Sequence, residues 1–185
     1  DKGKFVRFVP SGEGYTQAAE VDSKSKKAAV VGAGGNRAIA AFADGTVRLL
    51  DAKSLKEVAS FSIPDDDPPR TAEVSPDGRL AAVLTHGGEV TVYDAQEGRP
   101  IDADLRGDGD VSTIAFGPDG SLWASDRLMR LTRYDAKSLE PVETREGSLS
   151  TGEIIYRYVL GPLGWILPNT YGLGNAQTYL FTEQK

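Results

Sequence analysis

The sequence predicts an all-β fold built from a repeated unit, and three observations support that prediction. Segments 36–61, 77–105 and 119–145 each contain a turn, a short apolar run, a second strand, an Asp-Ala dipeptide and a third strand. An aspartate anchors each unit at intervals of 43 and 41 residues: Asp51, Asp94 and Asp135. The Pro-Asp-Gly turns of the last two units recur 42 residues apart. A period of this length, filled with short strands and turns, is typical of the blades of a β-propeller.

Each unit supplies four strands, which are bounded by Gly, Pro and Asp and contain short apolar or alternating runs. The strands expected in the first unit are 28–31, 38–42, 46–51 and 57–62. Those of the second unit are 71–74, 80–84, 89–93 and about 100–105. Those of the third are 112–116, 122–124, 130–134 and 141–145. The sequence therefore predicts four-stranded antiparallel blades at about 28–63, 70–106 and 111–147, with five side chains buried between blades: Val47, Leu49, Val90, Val92 and Leu131.

Degenerate strands are expected on both sides of these three clear repeats. Residues 5–9 alternate between apolar and polar and end at a Ser-Gly-Glu-Gly turn, whereas 23–27 form a polar loop. Near the C-terminus, 154–160 and 179–182 are the candidate strands. They could pair with 5–9 and close a ring of four or five blades, or the propeller could be incomplete and finished by another chain or by sequence outside the given residues. Residues 1–185 are treated as one propeller or partial propeller domain, with 152–185 as its closing or partner-contacting segment.

The dipeptides that end with the anchoring aspartates indicate a known class of repeat. Leu50-Asp51, Tyr93-Asp94 and Tyr134-Asp135 stand where WD40 repeats have Trp-Asp, and residues 28–147 resemble WD40-like and YVTN-type bacterial propeller repeats. The chain has a single His and no Gly-His dipeptide, so it departs from the eukaryotic WD40 pattern and resembles a generic propeller repeat. The three aspartates are expected to be structural residues of the blades that accept hydrogen bonds from the amides of the following turns.

Composition excludes several function classes. A net charge of −6 argues against nucleic acid as a partner, because phosphate binding requires clustered Lys and Arg. The absence of cysteine excludes disulfides, thiolate zinc sites and cysteine nucleophiles. It is compatible with either a reducing or an oxidising compartment. The uncharged tract 158–182 contains too many Gly, Pro and Asn residues for a transmembrane helix, so no membrane-spanning segment is expected. An extracytoplasmic location, periplasmic or membrane-associated, is favoured over a cytoplasmic one.

No residue pattern predicts a catalytic, cofactor or metal site. The Gly-rich segment 32–35 is not followed by Gly-Lys-Ser/Thr, which favours a turn over a phosphate loop. His86, the sole imidazole, lies in a hairpin turn without the surroundings of a catalytic serine. Acidic residues offer the oxygen ligands that calcium prefers but match no calcium loop, so they are expected to be solvated: Asp65, Asp66, Asp67, Asp102, Asp104, Asp108 and Asp110.

Two features suggest interaction surfaces. Arg133 aligns with Leu49 and Val92, where a blade should present an apolar side chain to its neighbour. Either its stem packs while its head reaches solvent or a carboxylate, or the third blade borders something polar such as a channel or a partner. The second feature is an uncharged aromatic segment that either closes the ring or contacts another subunit or a membrane interface: Trp165, Ile166, Leu167 and Tyr171.

These observations favour a non-catalytic protein–protein interaction or scaffold domain of a larger assembly, with protein partners and possible membership of a membrane complex. Two alternatives remain open. One is a propeller hydrolase or lactonase with a carboxylate-bound calcium, which needs acidic residues converging at one mouth of the channel. The other is an extracytoplasmic accessory domain of a membrane complex.

Overall fold

In a computed structural model of this chain, sixteen β-strands account for the regular secondary structure of the described residues. The structure describes residues 3–24, 29–64, 66–103, 105, 110–127 and 130–146, together with two short strands near the C-terminus. Strands β1 to β8 are Lys4–Ser11, Gly14–Asp22, Ala29–Gly34, Arg37–Phe42, Thr46–Asp51, Glu57–Ser62, Pro69–Val74 and Leu80–Thr85. Strands β9 to β16 are Val90–Asp94, Arg99–Ile101, Val111–Phe116, Leu122–Asp126, Arg130–Tyr134, Pro141–Glu146, Ile155–Arg157 and Asn169–Thr170.

The strands form three four-stranded antiparallel sheets and two hairpins. The sheets are β3–β6, β7–β10 and β11–β14, each with its strands in sequence order, and the hairpins are β1–β2 and β15–β16. The first strands of successive sheets pack beside one another, β3 against β7 and β7 against β11, and β15 packs against β11. Three blades therefore stand side by side with their first strands innermost, which confirms the all-β propeller architecture predicted from the repeats.

Two apolar cores lie between the blades. The first joins the first and second blades through side chains that include Val47, Leu49, Ala72, Val83 and Tyr93. The second joins the second and third blades through side chains that include Leu84, Val92, Ile114, Leu122 and Tyr134. Side chains of a strand alternate between its two faces, so the second blade contributes one face to each core.

The burial expected from the sequence is confirmed for three of the five named side chains. Val47, Leu49 and Val92 are at most 2% exposed. Val90 and Leu131 are only half buried. Leu131 is only partly buried because it lies on the face of the third blade that points away from the second blade. Val90 is only partly buried because it lies at the end of its strand.

Several strand boundaries differ from the sequence-based expectation. The structure describes only 155–157 of the candidate strand 154–160, and the candidate strand 179–182 lies outside the described residues. Residues 14–22 form β2, although no strand was expected there, because the stretch is exposed and lacks regular alternation. The first strand runs over 4–11 rather than 5–9. Strand β3, the innermost strand of the first blade, continues through Gly34, so the predicted turn at 32–35 was wrong in its first three residues. The last strand of the second blade stops at Ile101 instead of reaching Leu105.

The N-terminal hairpin is fastened to the first blade by a buried arginine. Arg48 of β5 is 3% exposed, and it donates hydrogen bonds to the Ser23 carbonyl oxygen at 2.6 Å and to Glu57 Oε2 at 2.6 Å. Its guanidinium carbon lies 5.7 Å from the centroid of the Phe5 ring, and that ring also packs against Phe42. Sequence reasoning missed this arginine, although its position between Val47 and Leu49 in an apolar strand was a signal.

Glycines in β3 permit a very close approach of the first two blades. A Cβ atom added at Gly32 would lie 2.8 Å from the Cα of Glu73 and would overlap the carbonyl oxygen of Ala72. One added at Gly34 would lie 2.7 Å from the carbonyl oxygen of Val74 and closer still to that of Ser75. Atoms of the β7 backbone leave no room for either side chain. The glycine run is thus explained by strand packing rather than by anion binding.

We expect Gly32→Ala to lower the free energy of unfolding by about 1–3 kcal/mol, because the new methyl group must push two backbones apart in a packed interface. Gly14→Ala is the matched control, since a Cβ at Gly14 meets no atom within 4 Å. Denaturant melts of both variants measure the difference. Equal stability of Gly32→Ala and the parent protein would contradict the close packing of β3 against β7.

Candidate interaction surface

The three anchoring aspartates each organise the turn that follows their strand. Asp94 Oδ1 accepts hydrogen bonds from the amides of Gln96 and Glu97, at 2.9 and 2.8 Å. Asp135 Oδ1 does the same for Lys137 and Ser138, both at 2.9 Å. In the first blade Asp51 Oδ1 accepts from the amide and the hydroxyl of Ser54, at 2.8 and 2.7 Å. The structural role of these side chains stays a prediction.

The same turns share a left-handed residue four positions after the aspartate. Its φ is +58° at Leu55, +67° at Gly98 and +56° at Leu139. A leucine in this conformation costs roughly 1–2 kcal/mol. Leu55 and Leu139 are only 7% and 5% exposed, and burying a leucine side chain returns about 1.5–3 kcal/mol. Packing therefore offsets the backbone strain in the first and third blades, whereas the second blade uses glycine.

The acidic residues and the histidine considered as sites are spread over turns. Asp67 accepts hydrogen bonds from Thr85 Oγ1 at 2.5 Å and from the Gly87 amide at 2.7 Å, so it holds a hairpin turn in place. His86 is exposed in that turn. Within the described residues, no three His, Cys, Asp or Glu side chains converge in a group that could hold a metal ion. Asp65, Asp104 and Asp108 lie outside the described residues.

Arg133 lies on the face of the third blade that points away from the second blade. It stands two residues before its anchoring aspartate, as Leu49 and Val92 do in the other blades. Those two side chains are 0% and 2% exposed inside the inter-blade cores, whereas the side chain of Arg133 is 35% exposed. The chain thus places a cation where the first two blades place apolar groups.

A row of side chains crosses three strands around this arginine. Trp123 of β12 and Glu143 of β14 are its direct cross-strand neighbours. The guanidinium carbon lies 5.9 Å from the centroid of the Trp123 ring, a cation–π distance. Nη1 lies 3.8 Å from Asp119 Oδ2, and Nε lies 3.6 Å from Glu143 Oε2. We call Asp119, Trp123, Arg133 and Glu143 the third-blade surface.

Arg133 retains unused hydrogen-bonding capacity. Its Nε atom is buried and has no hydrogen-bond partner in the described part of the chain, because Glu143 lies just beyond bonding distance. Glu143 instead accepts a hydrogen bond from Arg145 Nε at 2.7 Å. That bond, with a smaller contribution from the charge of Arg133, lowers the pKa of Glu143 below its ordinary value. The arginine head reaches toward carboxylates, as one of the two sequence-based interpretations expected.

The neighbouring turn fixes the orientation of the tryptophan. Trp123 Nε1 donates to Ser121 Oγ at 3.1 Å, and Ser121 Oγ donates to Asp119 Oδ1 at 2.6 Å. The Ser121 hydroxyl is the main reason that the pKa of Asp119 lies below its ordinary value. A half-buried indole ring is therefore held beside a partly exposed guanidinium. Sequence analysis singled out Arg133 and missed Trp123, whose only signal was its place in the neighbouring strand of the same unit.

Trp165, Ile166, Leu167 and Tyr171, the aromatic segment expected to close the ring or contact a partner, lie outside the described residues. The described part of the chain also contains no apolar helix of the length that crossing a bilayer requires.

Comparison with known proteins establishes the fold. No protein-family model and no curated protein matches this sequence. The structure is similar to the β-propeller domain of Cps50 (Swd1) from Myceliophteria thermophila, with a TM-score of 0.63 and 18% sequence identity over 89% of this chain. The match covers 61% of that propeller chain, so this protein spans less than two thirds of its length. The β-propeller fold expected from the repeats is thereby confirmed, and the similarity concerns the fold alone.

The stability of the protein should fall in acid because the turn aspartates are hydrogen-bonded as carboxylates. The Ser54 hydroxyl lowers the pKa of Asp51, and the Ser138 amide lowers that of Asp135. A carboxyl whose pKa is lower in the folded than in the unfolded state, about 3.9 for Asp, contributes stability above that value and loses it as pH falls through the folded pKa. We expect Asp135→Asn to be less stable than the parent at pH 7 and equally stable near pH 2. Melts of both proteins at pH values between 2 and 7 measure this difference in stability, with Glu13→Gln as the control at an exposed position. A stability gap independent of pH would contradict the assignment.

Proposed function

We propose that this chain is a non-catalytic interaction module, a propeller that holds protein partners in a larger assembly through the third-blade surface. A propeller scaffold fits an interaction role in general, because its blades present rigid side chains on broad faces. The observation that carries the proposal is the row formed by Trp123 and Arg133, where an aromatic ring and a guanidinium replace the apolar contacts of the other two blades.

The chemistry of this surface suits protein recognition. Trp and Arg are the side chains most enriched among residues that dominate binding energy at interfaces. Arg133 combines a cation–π partner with a side chain that is 35% exposed, so a carbonyl or carboxylate of a partner could reach its guanidinium head. The flanking carboxylates of Asp119 and Glu143 would favour partners that bring basic groups to the rim. The partner that matches this pattern best is a folded protein whose contact surface has an apolar centre surrounded by groups of both charges.

The aromatic C-terminal tract is proposed as a second element of the same function. Trp165, Ile166, Leu167 and Tyr171 belong to an uncharged stretch whose composition resembles the core of an interface. Because the tract follows the third blade in sequence, it could extend the contact area next to that blade. Attachment to a membrane complex remains one form of this proposal.

Substituting the third-blade surface should abolish partner binding without unfolding the protein. The tagged chain is used to capture proteins from cells that produce it, in parallel with a Trp123→Ala/Arg133→Ala variant. We expect the variant to lose captured proteins at least tenfold, because truncating central Trp and Arg residues commonly costs 2 kcal/mol or more. Arg99→Ala is the matched control, since Arg99 is an exposed arginine of the second blade with only a local partner, Glu97. Identical sets of captured proteins for all three chains would contradict the proposal.

Deleting residues 161–185 separates the two roles considered for the C-terminal tract. A soluble, folded chain that has lost its partners would identify the tract as a contact, and loss of folding in circular dichroism would identify it as the closing segment of the ring. We expect the first result, because the three complete blades form their own cores in the described structure. A folded truncation that keeps all its partners would reject both roles.

A further inference from the structure

Successive blades are joined at one rim of the propeller by arginine side chains. Arg37, the first residue of β4, donates from Nε to the carbonyl oxygen of Ala95 at 2.7 Å. Arg79, which immediately precedes β8, donates from Nη2 to the carbonyl oxygen of Ala136. In both cases an arginine at the start of a blade's second strand reaches the turn after the third strand of the next blade. We call these contacts the first and the second inter-blade clamp.

The clamps use the alanine of the repeated Asp-Ala dipeptide as their acceptor. Ala95 and Ala136 each follow an anchoring aspartate. The Ala95 amide donates to the Arg79 carbonyl oxygen of its own blade at 2.8 Å, while its carbonyl oxygen accepts from Arg37 of the preceding blade. Both backbone groups of this fully buried residue therefore have partners. The turn is tied to its own blade and to the preceding one at the same point.

The two clamps differ in how deeply they are built into the fold. The side chain of Arg37 is 13% exposed, and its Nη2 also donates to Gln96 Oε1 at 3.2 Å. Gln96 Nε2 donates in turn to the Gly78 carbonyl oxygen at 2.9 Å, so the first clamp belongs to a network of hydrogen bonds. The side chain of Arg79 is 41% exposed, and its Nε lies 3.7 Å from Asp77 Oδ2. Loss of the first clamp should therefore reduce stability more than loss of the second, because it leaves more buried polar groups without partners.

The backbone of Arg79 is held on both sides, so the root of its side chain is fixed. Its amide donates to Asp77 Oδ1 at 3.0 Å, and its carbonyl oxygen accepts the amide of Ala95. The guanidinium then has the Asp77 carboxylate of its own blade on one side and the Ala136 carbonyl of the third blade on the other. A planar guanidinium carries several donors in a rigid fork and can serve both groups at once, which suits arginine better than lysine to this position.

The second clamp ends beside the turn that orients Trp123. A Cβ atom added at Gly120 would lie 3.7 Å from the Ala136 Cβ, which is ordinary van der Waals contact. Gly120 belongs to the turn whose polar side chains hold the Trp123 indole. Along the chain, Ala136 also follows Arg133 by three residues. The acceptor of the clamp thus connects the second blade to the turns next to both central side chains of the third-blade surface.

We propose that Arg79 is a positioning residue of the third-blade surface, which it supports from the second blade through Ala136. This inference rests on the proposed function, because it concerns the surface to which that function is assigned. The clamp holds the turn after β13 against the turn before β12, and these two turns set the placement of the Trp123 ring beside the Arg133 guanidinium. A recognition surface loses affinity when supporting contacts do not hold its central side chains in place. Arg37 has no such role, since its clamp ends at the second blade.

The fluorescence of Trp123 measures this positioning directly. Trp165→Phe leaves Trp123 as the sole tryptophan, because the chain has two. In that background we expect Arg79→Gln to shift the emission of Trp123 to longer wavelength and to increase its quenching by acrylamide, since a ring released from its turn meets more water. Arg37→Gln is the matched control, because it breaks the other clamp and should leave the emission unchanged. Arg79→Lys should fall between the parent and Arg79→Gln, because an ammonium group still donates to a carbonyl.

Capture of partners from cells tests whether the positioning matters for binding. Tagged chains that keep the native Trp165 are compared with Arg79→Gln and Arg37→Gln versions. We expect Arg79→Gln to capture about threefold less of the proteins that the parent binds, a smaller loss than truncation of Trp123 and Arg133 themselves. Arg37→Gln should capture as much as the parent. A thermal melt of each variant checks that the chain is folded at the temperature of the assay.

Unchanged emission in Arg79→Gln would overturn the proposal, because the clamp would then not hold the ring. Equal changes in Arg79→Gln and Arg37→Gln, or unfolding of Arg79→Gln, would overturn it as well, since the arginine would then support the whole fold rather than one surface. If Arg79→Gln keeps every partner while Trp123→Ala/Arg133→Ala loses them, the interaction module stands and only the positioning role is rejected. If the emission shifts as expected but Trp123→Ala/Arg133→Ala loses no partner, the clamp positions the ring and the proposed function fails.

Discussion

Face-to-face packing of four-stranded sheets is the constraint on which the rest of this structure depends. Each blade has two faces, and the alternation of side chains along its strands makes both of them apolar in the middle of the row. Such a sheet is stable only when a neighbour covers each face. The second blade meets this condition fully, with Tyr93 in one core and Val92 in the other. Among the described residues, the first and third blades meet it on one side, and their outer faces carry the features of functional interest.

Departures from the repeat are concentrated at those two outer faces. On the first blade, Arg48 and Phe5 fasten a hairpin over the outer strands and leave Val31 open on the inner one. On the third blade, Arg133 and Trp123 stand where the repeat elsewhere buries aliphatic groups. Placing a charged side chain on a blade face costs little free energy where the face is solvated or contacts a polar partner. Inside an inter-blade core the same charge would be desolvated at a large cost in free energy. The polar replacement therefore marks a boundary of the packed row.

This arrangement links the fold to an interaction role without requiring a catalytic group. The side chains that recur in every unit, such as the turn aspartates, have local partners in the turns next to them. The side chains that occur once, such as Arg133 and Trp123, meet at one exposed surface. A repeat protein separates structure from recognition in this way, because each repeat contacts only its neighbours and a single blade can change its free face without disturbing the others.

The sequence by itself determined the repeat, the fold class, the positions of the aspartate turns and the unusual column of Arg133, because these depend on local patterns of apolar residues and turn residues. Only the tertiary structure decided the rest. Strand β2 has too little alternation to be predicted, and it forms because β1 pairs with it and the first blade supports both. Gly32 and Gly34 resembled a turn, but they are required by the backbone of β7, which lies about 40 residues further along the chain in the repeat. The pairing of Trp123 with Arg133 likewise depends on strand register, which a single sequence does not specify.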